Sequence, residues 1–213
     1  MKRGEHMGVR IEYQASQIEM PLFRQKYQDR ENFMNYCREC PHYGRLWSCP
    51  PLPFDADAFL APYPWANLLC VQIHLDEETI RAADTAEKIK ETGWGIVSQA
   101  KRETEEKMRV LEAMVPGSVS LSSGGCGLCE GCTRKEGLPC RKPEEMCYSM
   151  DAFGLDLTAV TKDIFHIEIL WCRDSLPKYF TLIHALLTKE RMPEPLWEQA
   201  GILTRRRKTN GCV

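Results

Sequence analysis

The sequence lacks any long apolar run. No window approaches the roughly 18 uncharged apolar residues that a membrane span requires, and the first ten residues contain no apolar signal-peptide stretch. We therefore expect a soluble, cytoplasmic protein with no membrane partner.

An excess of charge of one sign is also absent. Lysine and arginine number 28, aspartate and glutamate number 30, and the formal net charge is −2. No overall field would therefore attract nucleic acid or an anionic membrane. The only basic block, Arg205-Arg206-Arg207-Lys208, contains no interleaved aromatic residue. We interpret residues 191–213 as a basic, solvated C-terminal tail and expect no nucleic-acid partner.

Nucleotide-binding and hydrolase motifs are missing as well. The sequence contains no Gly-x-Gly-x-x-Gly, no phosphate loop and no Gly-x-Ser-x-Gly elbow. Two carboxylates, Glu130 and Asp151, lie near cysteine clusters, where they could move protons or be ordinary surface residues. Catalytic residues stay unassigned, and the sequence leaves open whether the protein is an enzyme.

Cysteine is abundant by contrast, with eleven in the chain. Disulfides do not persist in a reducing compartment, and an odd count leaves at least one thiol unpaired. A composition of 43% hydrophobic residues suffices for a core without covalent staples. These observations predict that the cysteines bind metal.

The densest cluster places four cysteines at 126–140, namely Cys126, Cys129, Cys132 and Cys140. Three cysteines separated by two-residue gaps are typical of ferredoxin-like iron–sulfur proteins, in which each iron of a 4Fe-4S cluster takes one thiolate. Tetrahedral zinc is the alternative, although it usually uses two separated Cys-x-x-Cys pairs. Nearby basic residues would offset the negative charge of a bound cluster and raise its potential; these are Arg134, Lys135, Arg141 and Lys142.

An earlier cluster at 37–49 supplies three more thiols, Cys37, Cys40 and Cys49, without an obvious fourth. It would hold a second centre or complete the first. A vacant position would suit binding of a small molecule. The alternatives are that the two loops share ligands or that another residue closes the site. The candidates for that residue are His42, Cys70, Cys147 and Cys172, although Cys70 lies in an apolar run and is better explained as a core residue.

Hydrophobic periodicity predicts alternating helices and strands. We expect a partly helical lead-in at 1–36, followed by a single metal-binding domain at 37–190. Within that domain we expect a short helix capped by Asp55 or Asp57, strands at 67–74, 118–122, 165–171 and 179–187, helices over 76–114 with an interruption at 93–95, and a helix from Pro143 to about 153. This order indicates an α/β or α+β fold with one small mixed sheet of about four strands covered by helices, carrying two cysteine-rich loops.

The two loops and their flanks resemble a known family over roughly residues 30 to 190. The matching motifs are Cys37-x-x-Cys40, Trp47-Ser48-Cys49-Pro50-Pro51, Gly125-Cys126-x-Leu128-Cys129-x-x-Cys132, Gly137-x-Pro139-Cys140-Arg141 and Ser149-Met150-Asp151-Ala152. The family is domain of unknown function 2284, described as predicted metal-binding proteins. The resemblance implies that the seven cysteines at 37, 40, 49, 126, 129, 132 and 140 are the metal ligands, and it leaves Cys70, Cys147, Cys172 and Cys212 outside the pattern. It implies no particular reaction, and Asp151 stands where the family usually has glutamate.

The leading hypothesis is a cytoplasmic iron–sulfur protein with one or two 4Fe-4S clusters that transfers single electrons to a protein redox partner. The first alternative is an iron–sulfur enzyme that uses an open metal site for small-molecule chemistry. The second is a zinc-binding structural or interaction module.

Overall fold

One mixed β-sheet organises the protein, and the computed structural model describes residues 8–203. The strands are β1 (Val9–Glu19), β2 (Trp65–Leu75), β3 (Val119–Ser122), β4 (Tyr148–Ser149) and β5 (Tyr179–Thr188). They lie in the order β1-β2-β5-β3-β4, and only β3 and β4 run parallel. The fold is therefore mixed α+β, with one strand more than the four expected.

Helices cover both faces of this sheet. Over residues 8–203 there are seven α-helices: α1 (Met20–Tyr27), α2 (Arg30–Glu39), α3 (Ala56–Leu60), α4 (Glu77–Ala82), α5 (Ala86–Met114), α6 (Leu157–Phe165) and α7 (Pro195–Gln199). One apolar layer joins α1, α3 and α6 to the sheet, and a second joins α5 and α7 to the opposite face. The predicted short helix is confirmed as α3, with Asp55 at its N-cap.

The central position of β2 follows from its sequence. Leu68 and Cys70 pack into one apolar layer, whereas Leu69 and Val71 pack into the other, because successive side chains of a strand point to opposite faces. All four side chains are fully buried. The predictions of a buried strand here, and of Cys70 as a core residue, are confirmed.

The N-terminal segment differs from the sequence prediction. Helix was expected up to residue 36, but residues 9–19 form β1, an edge strand paired with β2 along its whole length, and helix begins only at Met20. The signal was the two-residue alternation of apolar side chains that contact the α5 face, Val9, Ile11, Tyr13 and Ala15. The prediction of a helix did not take this two-residue alternation into account.

Three other sequence predictions are corrected. Helix α5 continues through residues 93–95, and the break falls instead at residues 83–85, because each glycine costs a helix only about 1 kcal/mol. Residues 143–147 contain a turn, and β4 and a 3₁₀ turn (Met150–Phe153) follow where a helix was expected. Residues 165–171 are not a strand, because α6 occupies residues 157–165 and ends at His166, whose φ is 57°. The predicted strands at 118–122 and 179–187 are confirmed as β3 and β5.

Beyond β5, the chain returns to the apolar layer under α5. Trp197 of α7 is buried in that layer, as is Met192. The segment 191–203, expected to belong to a solvated tail, is thus packed against the core in part, whereas the basic block of that tail, Arg205-Arg206-Arg207-Lys208, lies outside the described residues, as does Cys212. Among residues 8–203, no helix combines the length and apolarity needed to cross a membrane.

Candidate metal centre

The first cysteine loop begins at the end of α2. Cys37 lies in the last turn of that helix, and the amide of Cys40, which follows the helix, donates to the Cys37 carbonyl at 3.0 Å. The Gly44 amide donates to the Pro50 carbonyl at 2.8 Å and so closes the loop behind Cys49. The loop is therefore a compact set of turns that holds its three cysteines near one another.

The thiols of this loop share one electrostatic neighbourhood. Burial raises the pKa of the Cys37 thiol to about 11, and the negative charges of Asp151, Cys49 and Cys40 act in the same direction. Burial also raises the pKa of Cys49, with a smaller opposing effect from its hydrogen bond to Ser48. Thiolates this close together require a neutralising cation if they are to ionise together, and a bound metal supplies one.

The second cysteine loop follows β3 and lines a cavity of about 740 Å³. The four cysteines expected to bind metal all line this cavity: Cys126, Cys129, Cys132 and Cys140. The opposite wall comes from α5, through residues such as Trp94 and Lys101, and Leu46 of the first loop contributes a further side. The donor set is thus four thiols around one space, which fits a thiolate-bound metal or cluster.

The two cysteine loops touch at Gly125. A Cβ atom at this position would lie 2.6 Å from Leu46 Cδ1 and 3.6 Å from Cys49 Sγ, so a side chain there would displace the Leu46 side chain. The next amide, that of Cys126, donates to the Ser48 hydroxyl at 2.8 Å. The loops therefore form one unit although they are far apart in sequence.

Arg134 fastens the same unit from the other side. Its guanidinium donates to the carbonyls of Leu46 at 2.7 Å, Cys49 at 2.6 Å and Pro51 at 2.5 Å, and it lies over the Trp47 ring at 5.2 Å. The planar fork of arginine suits several carbonyl acceptors at once. Sequence analysis proposed Arg134 as a counter-charge, whereas the structure shows that it binds the backbone of the first loop.

The remaining basic residues predicted near the second loop do line the cavity. Lys135, Arg141 and Lys142 are exposed at its rim, together with Arg45 and Arg102. Arg141 also donates to the Gly131 carbonyl at 3.1 Å. The cavity therefore has a cationic rim, which balances the charge of four thiolates.

A buried polar cluster beneath the cavity was missed by sequence analysis. Lys101 and Glu105 of α5 form an ion pair whose side chains are only 13% and 9% exposed, and the Ser122 hydroxyl donates to Glu105 at 2.5 Å. Burial raises the pKa of Glu105, but Lys101 and Ser122 outweigh this effect and the pKa is lowered overall. The sequence shows that Lys101 and Glu105 are four residues apart in a predicted helix. This spacing allows an ion pair but does not show whether the pair is buried or on the surface.

His184 of β5 belongs to the same neighbourhood. It is 1% exposed, and its Nε2 atom has no hydrogen-bond partner. Burial, together with the charge of Lys101, lowers the pKa of His184 to about 3, although Glu105 acts in the opposite direction. His184 is therefore neutral in the folded protein at ordinary pH.

The residues proposed to close the three-cysteine site lie in different surroundings. Cys70 is in the core, and burial raises its pKa to about 12. Burial raises the pKa of Cys147 to about 12 as well, and the charge of Glu105 acts in the same direction. Cys172 is exposed. His42 lies near Cys49, since the Cβ position of Gly125 is 3.5 Å from His42 Cδ2 and 3.6 Å from Cys49 Sγ. Within residues 8–203, no three histidine, cysteine, aspartate or glutamate side chains are already arranged to hold a single metal ion.

Comparison with known proteins identifies the family. The sequence profile described as "Predicted metal-binding protein (DUF2284)" matches residues 22–187, which includes both cysteine loops and the sheet from β2 to β5. The chain belongs to this family. No curated protein and no solved structure matches the chain. The resemblance noted in the sequence is thus confirmed. The protein is cysteine-rich and belongs to a family that is predicted to bind metal.

Proposed function

We propose that this protein binds a 4Fe-4S cluster through Cys126, Cys129, Cys132 and Cys140 and transfers single electrons to a protein partner. The observation that carries the proposal is the cavity of about 740 Å³ that all four cysteines line. A bound cluster supplies one-electron chemistry at a potential set by charge, hydrogen bonds and solvent exposure.

The spacing of the four cysteines favours a polynuclear group over a single zinc ion. Three cysteines separated by two-residue gaps, with a fourth at 140, are typical of iron–sulfur loops, whereas zinc usually takes two separated Cys-x-x-Cys pairs. The cavity that these cysteines line continues to Trp94 and Arg102 of α5, so its volume includes space beyond the thiols.

The residues around the cavity would tune such a cluster. Leu46 and Trp47 form an apolar wall that limits access of water, and the Trp47 indole donates to the Leu138 carbonyl at 3.1 Å, which fixes its ring. Lys135 and Arg141 place positive charge at the rim and so favour the reduced, more negative state.

The same rim supports docking of an acidic protein. Five exposed cations surround the cavity mouth, and Trp94 beside them is 69% exposed. Exposed aromatic residues within a charged rim are typical of interaction surfaces, and complementary charge speeds association at low ionic strength. We expect the reduced protein to reduce an acidic acceptor such as a flavodoxin faster than a basic one such as cytochrome c, and to lose this preference in high salt.

Anaerobic purification with iron, acid-labile sulfide and zinc analysis tests the cluster. One 4Fe-4S cluster gives about four irons and four sulfides per chain. Cys132→Ser should remove this iron, whereas Cys172→Ser should not, because Cys172 is exposed and does not line the cavity. A colourless, zinc-loaded protein without sulfide would refute the proposal.

A small-molecule enzyme is the second candidate, favoured by the part of the cavity that lies beyond the thiols. Trp94, Val97 and Arg102 of α5 line that part and could hold an anionic compound beside the metal. A change in the electron paramagnetic resonance spectrum on addition of small anions would favour the enzyme. An unchanged spectrum, combined with rapid electron exchange, would favour the carrier.

A further inference from the structure

The three-cysteine loop lies against the turn that contains Asp151. Cys37, Cys40 and Cys49 come from the first loop, and Asp151 comes from the 3₁₀ turn after β4. Sequence analysis treated Asp151 as a possible proton carrier or an ordinary surface residue. The structure places that turn against both the end of α2 and the first loop, although they come from separate parts of the chain.

Cys37 is held against the turn that contains Asp151 by contacts at the start of α2. The Asp29 amide donates to the Gly154 carbonyl at 2.8 Å, and the Gln28 side chain donates to the Phe153 carbonyl at 3.0 Å. Two helical turns later, Cys37 Sγ lies 4.0 Å from the carbonyl oxygen of Asp151. The helix therefore presents its cysteine to this residue.

Cys49 is joined to the same turn by a pair of serines. The Ser149 amide donates to the Ser48 carbonyl at 2.9 Å, which fixes the first loop beside β4. The Ser149 hydroxyl donates to the Asp151 carboxylate at 2.8 Å, and the Ser48 hydroxyl lies 3.7 Å from Cys49 Sγ. The backbone bond between Ser149 and Ser48 thus holds Asp151, which is bound to Ser149, near Cys49, which follows Ser48.

The carboxylate retains donor capacity in this arrangement. An ionised carboxylate has about four lone-pair positions, and the Ser149 hydroxyl uses one. A hydrogen bond of this type orients a ligating carboxylate rather than competing with the metal.

We propose that Cys37, Cys40, Cys49 and the carboxylate of Asp151 hold a second iron–sulfur centre, with Asp151 as an oxygen ligand to one iron. This inference rests on the proposed function, because it assumes that the protein carries clusters. An oxygen ligand binds iron less tightly than a thiolate, so this iron is the exchangeable one. Replacing a thiolate with a neutral or harder donor also raises the potential of a cluster, as histidine ligands do.

Substitution of Asp151 tests the ligand assignment. The two centres together give about eight irons per chain, and Asp151→Ala should lose iron from the second centre while the signal of the 126–140 centre persists. Asp151→Cys should restore full iron content with a lower potential for that centre. The matched control is Asp163→Ala, an exposed aspartate of α6, which should change neither iron content nor spectrum.

A measurement on the unaltered protein guards against variants that fail to fold. Aspartate labelled with ¹³C at the side-chain carboxyl should give an electron–nuclear double resonance coupling to the reduced second centre, and Asp151→Asn prepared with the same label should lack it. A coupling present in the former and absent in the latter supports the proposal. No coupling, or full iron and an unchanged spectrum in Asp151→Ala, overturns it.

The failure of this inference and that of the proposed function can be told apart. A protein without iron and sulfide refutes both. About four irons per chain that depend on Cys132 but not on Cys49 refute the second centre and leave the proposed function standing. Two centres that both survive Asp151→Ala and Asp151→Cys unchanged refute only the aspartate ligand.

Discussion

The amide of Cys126 donates a hydrogen bond of 2.8 Å to the hydroxyl of Ser48, across 78 residues of sequence. Cys126 is the first cysteine of the second loop, and Ser48 directly precedes the last cysteine of the first. Ser48 is fully buried, so this bond is formed away from water. This buried bond therefore joins the two cysteine loops directly, in addition to the bonds of Arg134.

Removal of the Ser48 hydroxyl should weaken the fold and the metal site together. Ser48→Ala leaves the Cys126 amide without its acceptor, which should lower the free energy of unfolding by about 2 kcal/mol. Urea denaturation of the metal-free protein measures this cost. The control is Ser123→Ala, which alters the same wall of the cavity without touching that amide; equal effects from the two variants would argue against the role of Ser48.

Arg134 should not be replaceable by lysine. Arg134→Lys keeps the charge but cannot supply the planar fork that reaches the carbonyls of Leu46, Cys49 and Pro51, so we expect a loss of about 2 kcal/mol in stability and faster loss of iron to a chelator. Lys135→Ala, at the neighbouring exposed position, should leave stability within about 0.5 kcal/mol. If Arg134→Lys releases iron no faster than Lys135→Ala does, charge alone is what this position requires.

Two glycine-to-alanine substitutions should act in opposite directions. Gly154 has a φ of 73°, and a Cβ atom there would lie 2.6 Å from Arg30 Cα, so Gly154→Ala should cost about 3 kcal/mol or more. Gly95 lies in α5 with nothing near its Cβ position, so Gly95→Ala should add about 1 kcal/mol. Thermal denaturation of both variants gives the comparison, and a neutral result at Gly154 would mean that α2 can move away from the turn.

His184 should make the protein less stable in mild acid. Its pKa is about 3 in the folded protein and about 6.5 in the unfolded chain, so below pH 6.5 only the unfolded chain takes up the proton. Stability is then lost as the pH falls from about 6.5 toward 3, by about 2 kcal/mol at pH 5. Glu105, whose pKa is lowered, contributes its loss only at lower pH. Urea denaturation of His184→Leu between pH 7.5 and 5 should lack this slope; an unchanged slope would assign it to other groups.

The sequence predicted best the elements whose buried faces produce a clear pattern of apolar residues along the chain. β2 was predicted because an uninterrupted apolar run of that length fits a strand buried on both faces, and α5 because apolar residues recur every three or four positions. β1 was missed because it is an edge strand whose polar residues weaken the alternation, and pairing with β2 decides its structure. The break before α5 was misplaced because glycine propensity is outweighed where Gly93 packs against Leu176 and Phe180.

The candidate site was predictable in composition but not in assembly. Cysteine spacing identified seven candidate ligands, and the family match is consistent with a metal-binding chain. Spacing could not show that Arg134 binds the first loop, that Gly125 lies against Cys49, or that Asp151 stands beside Cys37. Each of these contacts joins residues more than 70 positions apart, so only the pairing of the strands brings them together.

The long separation between the two cysteine loops has a consequence for biosynthesis. A ribosome adds about 5–20 residues per second, so Cys37, Cys40 and Cys49 emerge roughly 5–20 seconds before the stretch from Gly125 to Asp151 that covers them. During that interval the three thiols lack their contacts with residues 125–151 and are exposed to oxidants. Until residues 125–151 have been synthesised, the first loop therefore lacks the contacts that position it in the folded protein.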